Sequence, residues 1–286
     1  MPQRITGHTE LIGLLATPIR HSKSPMMHNT AFEALGLDYA YLAFDIQPDQ
    51  LADSVKGLKA LGAKGWNVSM PYKTAIIPLL DEISEASRLC ESVNTVINQD
   101  GRLYGTVTDG TGYMMSLRDC GFDVIGKKMT VLGCGGAATA ICIQAALDGV
   151  KEISIFNASD AFFPRAEENA RKIRENTGCI ANAYPLEDKE RLRAEIASSV
   201  LLANATNVGM GKLEGVSLIT DKTMLRPDLI CTDVIYTPEE TAFLKLAREV
   251  GCPTMNGTGM VLYQGAEAFR LWTGKEMPVD AVKKVL

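Results

Sequence analysis

The stretch MTVLGCGGAATA, residues 129–140, decides how this chain is interpreted. Strand-forming residues run directly into Gly133-Cys134-Gly135-Gly136-Ala137-Ala138, a G-x-G-x-x-A pattern that opens a helix of small residues. Gly133 permits a tight turn, Gly135 lets the backbone approach a pyrophosphate, and Ala138 allows the helix to pack closely on the strand. Backbone N–H groups at the helix start then face the phosphates. The stretch predicts a dinucleotide-binding turn, and a plain β-to-α turn is the alternative.

The next strand should end beside the adenosine ribose of such a cofactor. An acidic residue there binds the 2′-hydroxyl, whereas an arginine binds a 2′-phosphate. The strand ends at Asn157 and is followed by Ala158, Ser159 and Asp160, and the first basic residue is Arg165. Asp160 can accept a hydrogen bond from a ribose hydroxyl and would repel a phosphate. The sequence therefore favours NAD over NADP, with use of NADP left open.

Strand-like runs alternate with helix-period segments along the whole chain, which is typical of α/β proteins with parallel βαβ units. The pattern runs once to near Asp109, with a hairpin turn at Asp100-Gly101, and starts afresh at the glycine-rich stretch. We expect two domains. A substrate domain of residues 1–109 is completed by helices of residues 257–286 that return to it, and a Rossmann-type domain covers residues 110–256.

Composition narrows the class of protein. Of the 286 residues 46% are hydrophobic and 22% charged, with a net charge of −5, which is typical of a globular protein and predicts no nucleic-acid partner. No secretory signal is visible, and the most apolar segment, 137–147, is far shorter than the roughly 20 residues of a membrane span. The seven cysteines and three histidines lack metal-ligand spacing. We expect a cytoplasmic protein with reduced thiols and no metal or membrane association.

Six short segments resemble the shikimate dehydrogenase family, and the resemblance spans nearly the whole chain. Each lies at a predicted strand end or helix start, where α/β enzymes place their ligands. They occur in family order and bracket the glycine-rich turn, which makes coincidence a poor explanation. The segments are PIRHSKSP (18–25), NVSMPYK (67–73), SVNT (92–95), TDG (108–110), DVIY (233–236) and NGTGMVLYQGA (256–266).

The resemblance implies an oxidoreductase that interconverts shikimate and 3-dehydroshikimate, and quinate is a second candidate substrate. Hydroxyl donors suit the substrate carboxylate, and amide or carboxylate groups suit its ring hydroxyls. If the segment 22–24 is extended, its two serine hydroxyls point to the same side. A helix cap before Pro25 is the alternative interpretation of that pair. The positions that match the family's substrate ligands are Ser22, Ser24, Ser69 and Tyr236 for the carboxylate, and Asn94, Asp109 and Gln264 for the hydroxyls.

Lys73 and Asp109 match the family's catalytic dyad. Oxidation of a secondary alcohol needs a base for the hydroxyl proton, and the reverse reaction needs an acid. An ammonium group is an acid by nature and must lose its proton to act as a base, so we expect alcohol oxidation to be faster at alkaline pH. Lys73 precedes a helix predicted at 74–80, where a cation is poorly placed for the helix dipole. That placement favours a functional role over a solvated lysine.

The residues assigned to the cofactor include two departures from the family pattern. Cys134 replaces a common alanine, and its side chain either crowds the pyrophosphate or packs. Ala158-Ser159 stands where NADP-using members carry an arginine and a hydroxyl residue. The full set of predicted cofactor contacts is Gly133, Cys134, Gly135, Gly136, Ala137, Asn157, Ser159, Asp160, Val234 and Gly257.

Two other hypotheses are weighed. A catalytically silent sensor of quinate or shikimate could dispense with Lys73 and Asp109, but both are present and no DNA-binding segment is appended. A related Rossmann enzyme with another substrate, such as a folate-type dehydrogenase, is disfavoured by the serine pair and Gln264. The preference between shikimate and quinate, and the choice between monomer and homodimer, stay open.

Overall fold

The structure is a computed structural model that describes residues 5–285, and these divide into two compact units. The first unit runs to Thr108 and resumes at Leu262, and the second is Asp109–Val261. Each unit contains one six-stranded sheet. The chain re-enters the first unit within the helix Thr258–Thr273. None of the helices in residues 5–285 has the length and apolar character of a membrane span.

The first unit has a mixed sheet with the strand order β2-β1-β3-β5-β6-β4. β1 pairs in parallel with β2 and β3, whereas β5 is antiparallel to both β3 and β6. The strands are β1 (Glu10–Ala16), β2 (Tyr39–Asp45), β3 (Gly65–Val68), β4 (Glu82–Ile83), β5 (Thr95–Gln99) and β6 (Arg102–Thr106).

The hairpin predicted between β5 and β6 is confirmed. Asp100 has a φ of 51° and Gly101 a φ of 89°. Positive φ values at both central residues are typical of a type I′ turn, whose twist matches that of antiparallel strands. β5 is antiparallel to β3, so β5 begins at the same edge of the sheet where β3 ends.

The helices of the first unit come from two separate parts of the chain. They are α1 (Ser24–Ala34), α2 (Leu51–Ala60) and α3 (Glu85–Cys90), followed after the second unit by α9 (Thr258–Thr273) and α10 (Val279–Val282). The helix predicted at 74–80 is wrong: only the 3-10 turn Ile77–Leu79 forms there. Pro78 lies inside that segment and has no N–H for an α-helical hydrogen bond.

The core of the first unit is closed by aromatic residues of α1 and α9. His28 stacks on Tyr41 and Phe269, and Phe269 also stacks on Phe32. Trp272 of α9 donates its indole N–H to the backbone oxygen of Val96 at 2.9 Å. The returning C-terminal helix is therefore an integral part of this unit.

The second unit has an all-parallel sheet with the strand order β9-β8-β7-β10-β11-β12. This is the 3-2-1-4-5-6 order of the Rossmann fold. Its strands are β7 (Lys128–Leu132), β8 (Glu152–Asn157), β9 (Ile180–Pro185), β10 (Leu201–Asn204), β11 (Ile230–Asp233) and β12 (Thr254–Met255), and its helices are α4 (Asp109–Asp119), α5 (Gly136–Leu147), α6 (Phe163–Asn176), α7 (Lys189–Ser198) and α8 (Ala242–Val250). The strand order reverses between β7 and β10, and ligands of such sheets bind beyond the carboxyl ends of the strands at that point.

Candidate active site

The glycine-rich turn joins β7 to α5 at the reversal point of the second sheet. Gly133 has a φ of 109°, and an added Cβ there would lie 2.8 Å from Thr206 Cγ2 and 3.0 Å from the backbone oxygen of Ala205. Only glycine fits this position. An added Cβ at Gly135 or Gly136 would meet no atom within 4 Å. The start of α5 therefore offers its backbone N–H groups to open space, which fits a pyrophosphate.

A cavity of about 490 Å³ lies beside this turn. It is large enough for part of a nucleotide cofactor. The cavity brings the turn together with the end of β8 and with the loop after β10, which the sequence analysis did not assign to the site. Its lining includes Gly133, Cys134, Gly135, Asn157, Ala158, Asp160, Phe162, Arg165, Thr206 and Asn207.

Cys134 packs inside the protein. Its side chain is buried, and Sγ donates to the backbone oxygen of Phe162 at 3.4 Å. Burial raises the pKa of the Cys134 thiol, so the side chain stays neutral. Of the two alternatives from the sequence, the structure supports packing.

The end of β8 carries two carboxylates instead of one. Asp160 Oδ1 accepts from the Phe162 N–H at 2.8 Å and from Asn157 Nδ2 at 3.4 Å. Glu187 accepts from the Ser159 hydroxyl at 2.9 Å and from the Ser159 N–H at 3.3 Å. The backbone N–H of Glu187 itself and the two Ser159 groups lower the pKa of the Glu187 carboxyl. Glu187 is therefore an anion beside Ser159 at neutral pH.

The positions of Glu187 and Arg165 along the chain do not indicate that they lie near this site. Glu187 comes after β9, which is parallel to β8, so the carboxyl ends of the two strands meet at one edge of the sheet. Arg165 lies in the first turn of α6, and that turn brings it back to the cavity that Asn157 lines. Along the chain no basic residue stands beside Asn157, but Arg165 lines the same cavity.

Val234 and Gly257 lie together beyond the carboxyl end of β11. An added Cβ at Gly257 would lie 2.0 Å from the backbone oxygen of Val234, so only glycine fits. The buried Asp233 carboxylate orders this segment by accepting from the Ile235 N–H at 3.0 Å and from the Thr241 hydroxyl at 2.8 Å. Burial raises the pKa of Asp233 although these donors oppose the shift.

Asp109 is the first residue of α4 in the second unit. The next residue, Gly110, packs so closely on α5 that an added Cβ would lie 2.2 Å from the backbone oxygen of Ala140. This contact fixes the start of α4 against the glycine-rich helix. A carboxylate in a first helical turn is also stabilised by the helix dipole.

Four of the predicted substrate residues and the predicted catalytic lysine follow or precede strand ends at one edge of the first sheet. The register pairs Leu15 of β1 with Val68 of β3 and Asn67 of β3 with Thr95 of β5, so the end of β1, the end of β3 and the start of β5 coincide. We call these residues the substrate cluster: Ser22, Ser24, Ser69, Lys73 and Asn94.

Asn94 is the most constrained member of the substrate cluster. It is buried, and its Oδ1 accepts from the Thr95 hydroxyl at 2.9 Å, the Thr108 N–H at 2.9 Å and the Thr108 hydroxyl at 3.2 Å. These donors fix the position of the amide oxygen and hence the orientation of the side chain.

The serine pair does not lie in an extended segment. Ser24 is the first residue of α1, and its N–H donates to the Ser22 hydroxyl oxygen at 3.2 Å. The argument from alternating side chains therefore does not apply to this pair. The N-cap of α1 is Lys23, and no side-chain cap is formed there among the described residues, so the helix-cap interpretation is not confirmed either. Both side chains are half-buried.

Lys73 follows β3 in a turn that is anchored on both sides. Its backbone oxygen accepts from the Val93 N–H at 2.8 Å, next to Asn94. On the other side, the buried Tyr72 donates its hydroxyl to the backbone oxygen of Ile46. The Lys73 side chain is half-buried. These anchors hold the start of the Lys73 side chain at the edge of the sheet that carries Asn94.

Gln264 and Tyr236 lie in different units. Gln264 is half-buried on α9, and the adjacent Gly265 packs on α1 so closely that an added Cβ would lie 2.1 Å from Met27 Cε. Tyr236 belongs to the second unit, where its side chain is 54% exposed. Within the first unit, Gln264 therefore lies on a helix that packs against α1, the helix that begins with Ser24. Tyr236 is not part of this unit.

Comparison with known proteins gives consistent results along the chain. Residues 14–96 match the family model of the shikimate dehydrogenase substrate binding domain, and residues 257–286 match that of the shikimate 5′-dehydrogenase C-terminal domain. The chain is 59% identical to a shikimate dehydrogenase (NADP(+)) of Listeria monocytogenes over 284 residues, which cover 99% of this chain and 98% of the relative.

Solved structures agree. A crystal structure of shikimate 5-dehydrogenase from Listeria monocytogenes in complex with shikimate and NAD has a TM-score of 0.97, with 58% identity over 100% of this chain and 99% of that one. Quinate dehydrogenase from Corynebacterium glutamicum in complex with NAD has a TM-score of 0.86, with 29% identity over 96% of this chain and 98% of that one.

The Rossmann strand order, the glycine-rich turn and the lysine-containing substrate cluster define the chain as a nicotinamide-dependent oxidoreductase of two α/β units. Its 59% identity with a dehydrogenase of matching length shows the family. The chain belongs to the shikimate dehydrogenase family. The relatives named above are dehydrogenases and lend no support to the hypothesis of a silent sensor.

Proposed function

We propose that this protein interconverts shikimate and 3-dehydroshikimate with a nicotinamide cofactor. The observation that carries the proposal is the 59% identity, over 99% of this chain, with a relative named shikimate dehydrogenase. The substrate cluster supports it, because hydroxyl, amide and ammonium groups are the partners that a carboxylate with several alcohol groups requires. We expect the reaction in the cytoplasm, in keeping with seven free cysteines, six of them buried.

In this proposal the serine hydroxyls hold the substrate carboxylate. Ser22, Ser24 and Ser69 lie at one sheet edge in the first unit, and Tyr236 is the fourth assigned group. Asn94, Asp109 and Gln264 are assigned to the ring hydroxyls. Asn94 suits that role because three donors to its Oδ1 hold the buried amide in one orientation.

Lys73 is the proposed acid and base, and Asp109 is its proposed partner. In ketone reduction the Lys73 ammonium gives a proton to the developing alkoxide oxygen, and in alcohol oxidation the neutral amine takes the hydroxyl proton. The bound nicotinamide supplies or accepts the hydride.

We propose that Gly133, Gly135, Gly136 and Ala137 bind the pyrophosphate and that NAD is the preferred cofactor. Two anions, Asp160 and Glu187, flank Ser159 at the end of β8, and Ala158 brings no positive charge to oppose them. Both features disfavour a 2′-phosphate. Arg165 lines the same cavity and supports a weaker reaction with NADP. Val234 and Gly257 are the proposed backbone contacts beyond β11.

A spectrophotometric assay tests the proposal. Purified protein is given shikimate or quinate with NAD or NADP, and the absorbance of the reduced nicotinamide is followed. We expect the highest kcat/KM with shikimate and NAD, slower turnover with NADP, and quinate as the weaker substrate. Absence of turnover with all four pairs would overturn the enzymatic proposal, and a higher kcat/KM with NADP would overturn the cofactor preference alone.

A further inference from the structure

Tyr41 is a buried residue of β2 that has no assigned role in the reaction. Its side chain is 1% exposed, and its ring stacks on that of His28 with centroids 4.5 Å apart and 11° between the ring planes. Its backbone is held as well, because the N–H donates to Asn29 Oδ1 at 2.9 Å and the oxygen accepts from Asn29 Nδ2 at 3.0 Å. The position of the Tyr41 hydroxyl is therefore fixed by both ring and backbone.

The Tyr41 hydroxyl begins a directed series of buried hydrogen bonds. It donates to Asn67 Oδ1 at 2.7 Å, and Asn67 Nδ2 donates to the backbone oxygen of Asn94 at 3.0 Å and to Thr95 Oγ1 at 3.1 Å. Thr95 Oγ1 in turn donates to Asn94 Oδ1 at 2.9 Å. The Thr95 hydroxyl also lies 3.5 Å from Thr108 Oγ1. Buried, connected series of this kind orient the side chains that form them.

Ser24 lies close to the same hydroxyl, because its side chain favours the ionised form of the Tyr41 phenol. Burial has the larger effect and raises the pKa of the phenol above its ordinary value. The phenol is therefore protonated at every working pH, and its proton points to Asn67 Oδ1. A serine hydroxyl in this position donates towards the Tyr41 oxygen.

We propose that Tyr41 is a positioning residue for the substrate, because its hydroxyl fixes Ser24 Oγ on one side and, through Asn67, the side chain of Asn94 on the other. This inference rests on the proposed function, in which Ser24 holds the carboxylate and Asn94 a ring hydroxyl. Tyr41 thus couples the two ends of the bound substrate through one buried oxygen atom.

Tyr41→Phe removes that oxygen and keeps the ring that stacks on His28. We expect the KM for shikimate to rise about threefold to tenfold, since one buried hydrogen-bonding partner is lost. We expect kcat to fall less, and the KM for the nicotinamide cofactor to stay unchanged because no assigned cofactor residue lies in the first unit. Tyr39→Phe is the matched control, on the same strand and the same face, and should leave both KM values unchanged.

A double-mutant cycle with Ser24→Ala separates this inference from the proposed function. If Tyr41 acts through Ser24, Tyr41→Phe raises the KM for shikimate less in the Ser24→Ala background than in the wild type. Independent effects that multiply, or a lower KM in Tyr41→Phe, would overturn the positioning role. If Ser24→Ala leaves the KM unchanged, the carboxylate assignment fails and the role of Tyr41 fails with it.

Folding of each variant is checked by tryptophan fluorescence, because both tryptophans, Trp66 and Trp272, lie in the first unit with Tyr41. Should Tyr41→Phe unfold, Thr95→Val tests the other end of the same series. That change keeps the side-chain shape and removes the donor to Asn94 Oδ1. It should raise the KM for shikimate with a smaller change in kcat, and an unchanged KM would overturn the coupling to Asn94.

Discussion

Gly133 and Gly257 in the second unit leave no room for a Cβ atom, whereas Asn67 and Asn94 in the first unit are held by side-chain hydrogen bonds. The proposed cofactor site is thus formed largely by backbone, and the substrate cluster by polar side chains. Backbone sites depend on the absence of atoms, and side-chain sites depend on the position of a few oxygen and nitrogen atoms. The two units should therefore respond to different kinds of substitution.

The largest loss of activity is expected on substitution of Lys73, the proposed acid and base of the substrate cluster. Lys73→Ala should lower kcat by about 10²- to 10⁴-fold, the usual contribution of a positioned acid or base, with a much smaller change in KM. Steady-state kinetics in both directions measure this. Lys56→Ala, an exposed lysine of the same unit, is the control.

The same assay tests whether Lys73 acts in proton transfer or in binding. A change in KM without a change in kcat would make Lys73 a binding residue.

The next effect concerns stability, and it distinguishes the units because the first contains a buried, uncharged histidine. Burial lowers the pKa of His28 to about 3, and neither ring nitrogen has a hydrogen-bond partner within residues 5–285. The unfolded chain takes up a proton on His28 below about pH 6.5, but the folded chain does not. The free energy of unfolding should therefore fall as the pH decreases from about 6.5 towards 3, by about 2 kcal/mol between pH 7 and pH 5.

Urea unfolding followed by tryptophan fluorescence reports this loss, since both tryptophans lie in the first unit. His28→Phe keeps an aromatic ring in the stack and should remove most of the pH dependence. His8→Gln, at an exposed histidine, should retain it. If His28→Phe loses as much stability at pH 5 as the wild type, His28 is not the group that causes the loss.

The sequence predicts the second unit better than the first, and the reason is the same difference in construction. The glycine-rich turn is contiguous, so its strand, its turn and the start of α5 can be read from residues 129–140. The hairpin at Asp100-Gly101 is equally local. In contrast, the hydrogen bond between Tyr41 and Asn67 forms because β2 and β3 both pair with β1, one on each side. No pattern along the chain indicates that pairing.

Errors in the prediction follow the same rule. The helix predicted at 74–80 is wrong because it includes Pro78, whose missing N–H can be recognised from the sequence alone. Glu187 and Arg165 could not be assigned in the same way, because one comes from the adjacent parallel strand and the other from the turn of a helix. Contacts across a sheet can be predicted only when the strand order is known, and the sequence alone does not determine that order.

A pair of glycine substitutions separates the two requirements of a backbone site. Gly133→Ala places a side chain at a φ of 109° and 2.8 Å from Thr206 Cγ2, so it should destabilise the protein by roughly 1–3 kcal/mol. Gly135→Ala meets no atom within 4 Å and should leave the melting temperature unchanged. It should still raise the KM for the cofactor by about tenfold, because a methyl group then occupies the space of the pyrophosphate. Equal melting temperatures for the two variants would contradict this account.

The smallest effect is expected from the exposed charges at the end of β8, the one part of the cofactor site that side chains determine. Glu187→Gln removes an anion beside Ser159 and should raise the ratio of kcat/KM for NADP to that for NAD by about twofold to fivefold, the size expected for an exposed charge pair. Asp160→Ala should weaken NAD more than NADP, because the ribose loses an acceptor. Glu190→Gln makes the same chemical change at an exposed position of α7 and should leave the ratio unchanged. A shift of equal size in Glu190→Gln would mean that overall charge, and not the position of Glu187 against Ser159, sets the preference between the two cofactors.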